Sequence, residues 1–386
     1  MLSDNGRNRT HATGLQPTPA ADITVSAQGG PADDAVRRRR EAPEASAPSH
    51  ARELLEDRAI GCLVGQFAGD SLGSQVEYLS RREIMTRYPN GVSEMRNNPQ
   101  RRLRAGQPTD DSEMAMTLAR SLIRNGCFRK SAVEAGYRSW IASRPVDMSR
   151  TSRLALGGIP QPGSMSNGAI MRVAPLGIFA TSMRESDAIS VARCEASITH
   201  VHRTCLDANA IYVLTLRRAI LTGDSPEELW HHMCRIAELL HMSPAVHVAL
   251  RRAGTERPRD YQTHMGFVLI ALQNAVYELL HAPGPREGII STIRQGGDTD
   301  TNAAVCGALL GAVHGSGGFP AQWTDTLAAC TLRRGECTLP RPEVYWPTSL
   351  PALARELVAK TSVIGTAGSV VDDLYDDEAA QACGKD

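Results

Sequence analysis

The sequence is poor in aromatic residues, 4% in all, and it has no surplus of either charge, with Lys plus Arg and Asp plus Glu at 42 each. Zero net charge removes any overall attraction to nucleic acid or to an anionic membrane surface. So few rings leave no broad stripe for a permanent protein partner, and the expected state is a monomer that meets a protein substrate transiently. The nine cysteines form an odd set without a CxxC pair, which argues against a zinc ribbon and against a disulfide framework. Cys62 and Cys306 fall in small-residue helical patterns and read as core thiols. No run approaches the ~20 apolar residues that span a bilayer. The N-terminal stretch also lacks the apolar centre of a cleavable secretory signal. Sustained period-two alternation is missing as well, which argues against β-structure.

What is present divides into three parts. Residues 1–50 are rich in Ala, Ser, Pro, Thr and Gly and carry the run Arg37 to Arg40, a composition that predicts disorder. Two readings of this leader stand side by side: a tail without a task in a cytoplasmic protein, or an uncleaved export leader that delivers the protein into another cell. Residues 51–360 form the expected folded domain, and 361–386, acidic from Asp372 to Glu378, a second flexible tail. Within the domain the helical period predicts helices over 53–69, 80–87, 111–125, 130–143, 187–198, 203–222, 226–240, 244–252, 264–281, 286–294 and 301–314. The fold class is therefore all-α and single-domain, with active residues on the loops where helices begin or end.

Two segments concentrate short oxygen-bearing side chains at helix starts. Thr109-Asp110-Asp111-Ser112-Glu113 precedes an apolar stripe of Ala115, Leu118, Ala119, Leu122 and Ile123, and Gly296-Gly297-Asp298-Thr299-Asp300-Thr301 precedes the small-residue run from Ala303 to Ala312. Capping explains part of this, with Thr109 or Asp110 as N-cap and Glu113 completing a capping box. One cap needs one oxygen, however, and these helix starts carry four aspartates. A divalent cation such as Mg²⁺ or Mn²⁺ would relieve their mutual repulsion, and both ions favour carboxylate, hydroxyl and water oxygens.

Four further segments suggest chemistry. Glu77 follows Gly69-Asp70-Ser71-Leu72-Gly73, where glycines suggest a hinged loop that carries a carboxylate into a site. Asp147 follows Pro145, which ends a helix and fixes a turn. Asn167-Gly168 opens a buried segment and offers amide groups to a phosphate. Thr199-His200-Val201-His202 invites a zinc reading, but without cysteine or carboxylate companions hydrogen-bonding histidines fit better. His231-His232 reads as an exposed helical pair with no assignment.

Taken in order, these segments resemble the ADP-ribosylglycohydrolase family. The likeness runs from Asp57 through Gly61, Gly69 to Gly73, Glu77, Thr109 to Met114, Ser143 to Asp147, Asn167 to Arg172, Ile198 to His200 and Gly296 to Thr301. It implies a compact helical fold with two Mg²⁺ or Mn²⁺ ions at the base of an ADP-ribose cleft. By position, Thr109, Asp110, Asp111, Asp298, Asp300 and Thr301 would be the metal ligands, and Glu77, Asp147 and Asp111 the catalytic carboxylates. Asn167, Gly168, His200, Phe267, Gly296 and Gly297 would line the substrate site. The implied reaction is hydrolysis of the bond between ADP-ribose and a protein arginine, with a mono-ADP-ribosylated protein as partner and ADP-ribose as product ligand. Such a reaction would reverse a regulatory modification, serve an immunity protein or act on a host target. The sequence departs from the pattern at Ser149-Arg150, where related enzymes carry Gly-Asn, which puts the identity of the substrate in question. Serine-linked or small-molecule ADP-ribose is the alternative substrate class, and an ADP-ribose-binding module without turnover is the alternative role.

Overall fold

Gly61, Gly65, Gly69 and Gly73 recur every four residues, so on a helix they share one face. In the computed structural model, which describes residues 47–364, all four lie on helix α1 (Ala47–Gly73), and that face meets α13 (Thr299–His314) running the other way. A Cβ at Gly61, Gly65, Gly69 or Gly73 would collide with the backbone of Gly311, Gly307, Ala303 or Thr299, respectively. The glycines are therefore a close-packing surface. Gly69 and Gly73, expected to hinge a loop, lie in the helix, which runs four residues beyond its predicted end. The reason is that α13 presents mostly small residues there, Gly311, Gly307 and Ala303, and two backbones can approach this closely only where the side chains between them are small or absent.

The remaining helices are α2 (Arg81–Arg87), α3 (Asp110–Asn125), α4 (Lys130–Ala142), α5 (Arg150–Leu156), α6 (Ala174–Phe179), α7 (Glu185–Ser197), α8 (Arg203–Thr222), α9 (Pro226–Leu239), α10 (Pro244–Ala253), α11 (Val268–His281), α12 (Pro285–Ile293), α14 (Ala321–Ala329) and α15 (Leu350–Ile364). α13 packs against α11 and α12 along its length and reaches α3 near its start. Among the described residues there is no sheet, only isolated β-bridges, so the all-α expectation holds. Ten of the eleven expected helices lie within two residues of prediction at both ends in the described chain or extend it, as for α8 at 203–222. The eleventh, 264–281, starts later: residues up to Phe267 form a turn held by an antiparallel bridge from Phe267 to Ser166, and the helix begins at Val268. The short helices α5 and α6 and the C-terminal α14 and α15 carry too little periodic pattern to stand out.

The expected α3 stripe is the one buried: Ala115, Leu118, Ala119 and Leu122 are inaccessible and Ile123 packs at the core's edge. His232 is buried, against the expectation of an exposed pair, because it faces back toward α8 and Glu185. The described cysteines are all free thiols, and Cys62 and Cys306 are buried. No described helix is long and apolar enough to cross a membrane. The leader as far as residue 46 and the tail from 365 lie outside the described residues, as do the arginine run and the acidic end.

Candidate active site

The antiparallel contact of α1 with α13 decides where the acids meet. It places Asp70, next to Gly69, beside Asp300 in the first turn of α13, and the start of α3 lies against both. Oxygens of Asp70, Asp111 and Asp300 lie within 4.8 Å of one another, and so do oxygens of Glu77, Asp298 and Asp300. Asp300 is common to both groups. The two acidic segments, almost two hundred residues apart in sequence, thus form one pocket.

The cap of α3 differs from expectation. Thr109 is the N-cap residue but its hydroxyl makes no cap bond. Instead the buried carboxylate of Asp70 accepts the backbone N–H groups of Thr109 (3.1 Å) and Ser112 (3.3 Å) from another helix. The Thr109 hydroxyl lies between Asp70 Oδ1 (2.9 Å) and Asp111 Oδ2 (3.1 Å), within reach of both with its single proton, so it links two acids. Glu113 forms no capping box either. Its buried carboxylate accepts Arg341 Nε and Nη2, each at 2.7 Å, and Trp140 Nε1 at 2.8 Å. Tertiary partners outcompete the local cap because the start of α3 is inside the protein, where a buried acid needs full hydrogen bonding.

Crowding raises the proton affinity of these acids. Burial, reinforced by the neighbouring carboxylates, pushes Asp110 up to about 8, and pushes Asp111 and Asp300 well above the usual carboxylate range. Asp70 also rises through burial, though its hydrogen bonds from Ser112 and Thr109 work the other way. Asp111 Oδ1 is buried and has no hydrogen-bond partner. Converging carboxylates, an orphaned buried oxygen and hydroxyls at Thr109 and Thr301 form a donor set that suits a hard divalent cation.

Glu77 reaches the pocket through a backbone clip. Gly296 (φ +76°) and Gly297 (φ +77°) take left-handed conformations in which Gly297 N–H donates to Leu79 O (3.0 Å) and Tyr78 N–H to Gly297 O (2.8 Å). The clip ties residues 78–80 to the turn that delivers Asp298 and Asp300. The Glu77 side chain is only 5% exposed and is paired with Arg101, which also pairs with Asp147 Oδ2. Arg101 Nη1 is 3.6 Å from Asp300 Oδ2.

A family model described as ADP-ribosylglycohydrolase matches residues 51–363. The chain belongs to the ADP-ribosylglycohydrolase family. It is 30% identical to the ADP-ribosyl-[dinitrogen reductase] glycohydrolase of Rhodospirillum rubrum, over 71% of this chain and 91% of that protein. It is 29% identical to the ADP-ribosylarginine hydrolase Tri1 of Serratia proteamaculans, over 70% of this chain and 75% of that one. The human ADP-ribosylhydrolase ARH3 is 24% identical over 72% of this chain and 90% of its own length. A solved structure titled ADP-ribosylglycohydrolase-related protein complex superposes with a TM-score of 0.66 at 28% identity, covering 80% of this chain and 99% of that one.

Of the other expected residues, Asn167 and Thr301 bond to acids of this pocket. Asp110 Oδ2 accepts Ser149 N–H (3.0 Å), so the Ser149-Arg150 departure still supplies a backbone donor, while Arg150 itself is exposed. Asn167 Nδ2 donates to Asp298 Oδ2 (2.8 Å), and its N–H to Gly266 O. Thr301 N–H donates to Asp300 Oδ1 (2.9 Å). His200 is fully buried behind Gly168, with Nε2 bonded to the Ser166 hydroxyl (2.7 Å) and Nδ1 to the Thr199 hydroxyl (2.8 Å). Burial and the Arg172 charge push its pKa down to about 3, so the ring is neutral and supports the loop from beneath. His202 caps α8 through Nδ1, a hydrogen-bonding role of the kind expected for it. Phe267 is half-buried and lines an apolar cavity of about 450 Å³ with His264, Val248 and Ile270.

Sequence reasoning missed two residues. Asp70 was visible only as part of a glycine-rich run, and its helical spacing from the glycines was the available signal. Arg101 lies in a polar loop with nothing in its neighbourhood to mark it.

Proposed function

We propose that this protein hydrolyses the N-glycosidic bond between ADP-ribose and a protein arginine, releasing ADP-ribose and unmodified arginine. The observation that carries the reading is the single pocket formed by Asp70, Asp111, Asp298 and Asp300 with Glu77 at its edge, next to an Asp147 that already grips a guanidinium. The names of two relatives, an ADP-ribosylarginine hydrolase and a dinitrogen reductase glycohydrolase, support the arginine linkage.

Thr109, Asp110, Asp111, Asp298, Asp300 and Thr301, with Asp70 beside them, would hold two Mg²⁺ or Mn²⁺ ions. Bound there, the pair would supply positive charge to orient ribose hydroxyls and acidify a water. The chain's own groups do the rest. Asn167 and the backbone at Gly168 hold the diphosphate, and Phe267 sits beside the nucleotide. The C1″–N bond breaks as a water oxygen bonds to C1″. One proton leaves that water and one reaches the guanidine nitrogen, with Glu77 and Asp147 as the carboxylates placed to handle them.

The test is incubation with arginine-linked and serine-linked mono-ADP-ribosylated proteins, with Mg²⁺, with Mn²⁺ and with chelator, followed by detection of free ADP-ribose. Release from arginine only, dependent on the cation, is the expected result. Release from serine alone would overturn the linkage, and no release from either would overturn the activity. Asp147→Ala should lower kcat by about 10²–10⁴-fold, the usual contribution of a general acid–base group, while leaving Mn²⁺ binding intact. A wild-type rate in that variant would remove Asp147 from the chemistry.

A further inference from the structure

Arg101 sits between Glu77 and Asp147, the two carboxylates to which the proposed reaction gives its protons. It stands on a hairpin closed by two backbone hydrogen bonds between Asn98 and Leu103 (2.8 and 3.0 Å), with Arg101 N–H donating to Asn98 Oδ1 (3.1 Å). The hairpin hangs from the end of α1 through Asn98 Nδ2 to Ser74 O (3.0 Å). From there the guanidinium bridges Glu77 and Asp147 and comes within 3.6 Å of Asp300. Among the described residues it is the one cation paired with this group of acids.

From this geometry we infer that Arg101 is an internal competitor, which fills the leaving-group seat between Glu77 and Asp147 and must swing out before a cation and a substrate guanidinium can occupy the pocket. The inference rests on the arginine reading for its substrate half only. Two features make the swing feasible. A guanidinium is a planar fork that pairs with two carboxylates at once, so one fork exchanges for another with no change in the donors offered. A cavity of about 450 Å³ adjoins the hairpin, lined by Asn98, Pro99, Leu103, Arg104, Glu336 and Cys337, so the hairpin is not packed solid on all sides. Arg101 itself is 24% exposed, so solvent reaches it. A second guanidinium cannot share the seat, because like charges at hydrogen-bond distance repel.

The test compares the full-length wild type with Arg101→Gln and Arg101→Lys. Calorimetric titration with Mn²⁺ alone should show affinity at least about 10-fold tighter in Arg101→Gln, because removing one positive charge beside Asp300 favours the ion by an electrostatic amount of that order. Titration with methylguanidine in Mn²⁺ should show tighter binding in the same variant, and KM for the arginine-linked substrate should fall while kcat does not. Arg101→Lys keeps the charge without the fork, and should shift both titrations in the same direction by less, which guards against a folding defect in the glutamine variant. Unchanged or weaker Mn²⁺ and methylguanidine binding in both variants would overturn the inference and make Arg101 a positioning residue or a bystander. Tighter Mn²⁺ and methylguanidine binding without any ADP-ribose release by the wild type would instead leave Arg101 as the competitor and overturn the proposed activity.

Discussion

Buried acids follow opposite rules in two regions of this molecule. Beside the pocket, Glu113 is matched by Arg341 and Glu195 by Arg172, and each acid has a further donor, Trp140 Nε1 for Glu113 and the Tyr137 hydroxyl for Glu195. In the pocket, Glu77, Asp147 and Asp300 share the guanidinium of Arg101, and among the described residues Asp70, Asp110, Asp111 and Asp298 have no cation paired with them. The matched pairs hold backbone. Arg341 also donates to Ser143 O (2.8 Å) and Arg144 O (3.0 Å) and so secures the turn before Asp147, while Arg172 donates to Gly168 O (3.0 Å) under the Asn167 loop. The acids of the pocket also accept backbone N–H groups, Asp70 from Thr109 and Ser112 and Asp110 from Ser149, but without a matching cation their crowding opposes the fold. Charge balance, more than burial, separates these two sets of acids.

Three variants would break or sharpen this contrast. The largest effect belongs to Asp300→Asn, which removes the acid common to both clusters. Mn²⁺ affinity should fall by more than about 100-fold, exceeding the 10–100-fold attributed to outer-shell partners, and hydrolysis should vanish except for partial recovery at high Mn²⁺. The melting temperature of the metal-free protein should not fall, because repulsion is relieved. A lower melting temperature with unchanged calorimetric affinity would place Asp300 among the supporting acids.

Glu113→Ala should behave in the reverse sense. Leaving Arg341 buried without its partner costs about 3–5 kcal/mol of stability, readable as a lower urea midpoint, whereas Mn²⁺ affinity in the folded fraction should change little. Stability equal to wild type would show that the matched pair does not support the fold.

The smallest effect is the pH response of His200. Its folded pKa, about 3, lies below the ordinary value of 6.5, so between those pH values the unfolded chain binds a proton that the native ring refuses. Stability is therefore lost as pH falls below about 6.5, by about 2 kcal/mol at pH 5 for this one group. In His200→Gln the difference in unfolding free energy between pH 8 and pH 5 should shrink by about that amount. An identical difference in both proteins would mean that the ring is protonated in the native state.

Much of this was legible in the chain. The helical period located the long helices, and the clusters at 109–113 and 296–301 announced themselves because short oxygen side chains at apolar helix starts exceed what capping needs. The glycines of α1 were equally visible but ambiguous, since a residue without a side chain serves a hinge and a close contact alike. Only the small residues of α13 against them settled the matter.

The sequence by itself determined the strongly periodic helices and the two helix starts crowded with short oxygen side chains, because both follow from local spacing and chemical type. Tertiary structure alone decided that Asp70 faces Asp300, that Glu113 turns from its own helix cap to Arg341, and that Arg101 enters the acids from a distant hairpin. Charges act through space and are felt most strongly where water is excluded, so the partner of a buried acid is set by the packing of helices rather than by its neighbours in the chain.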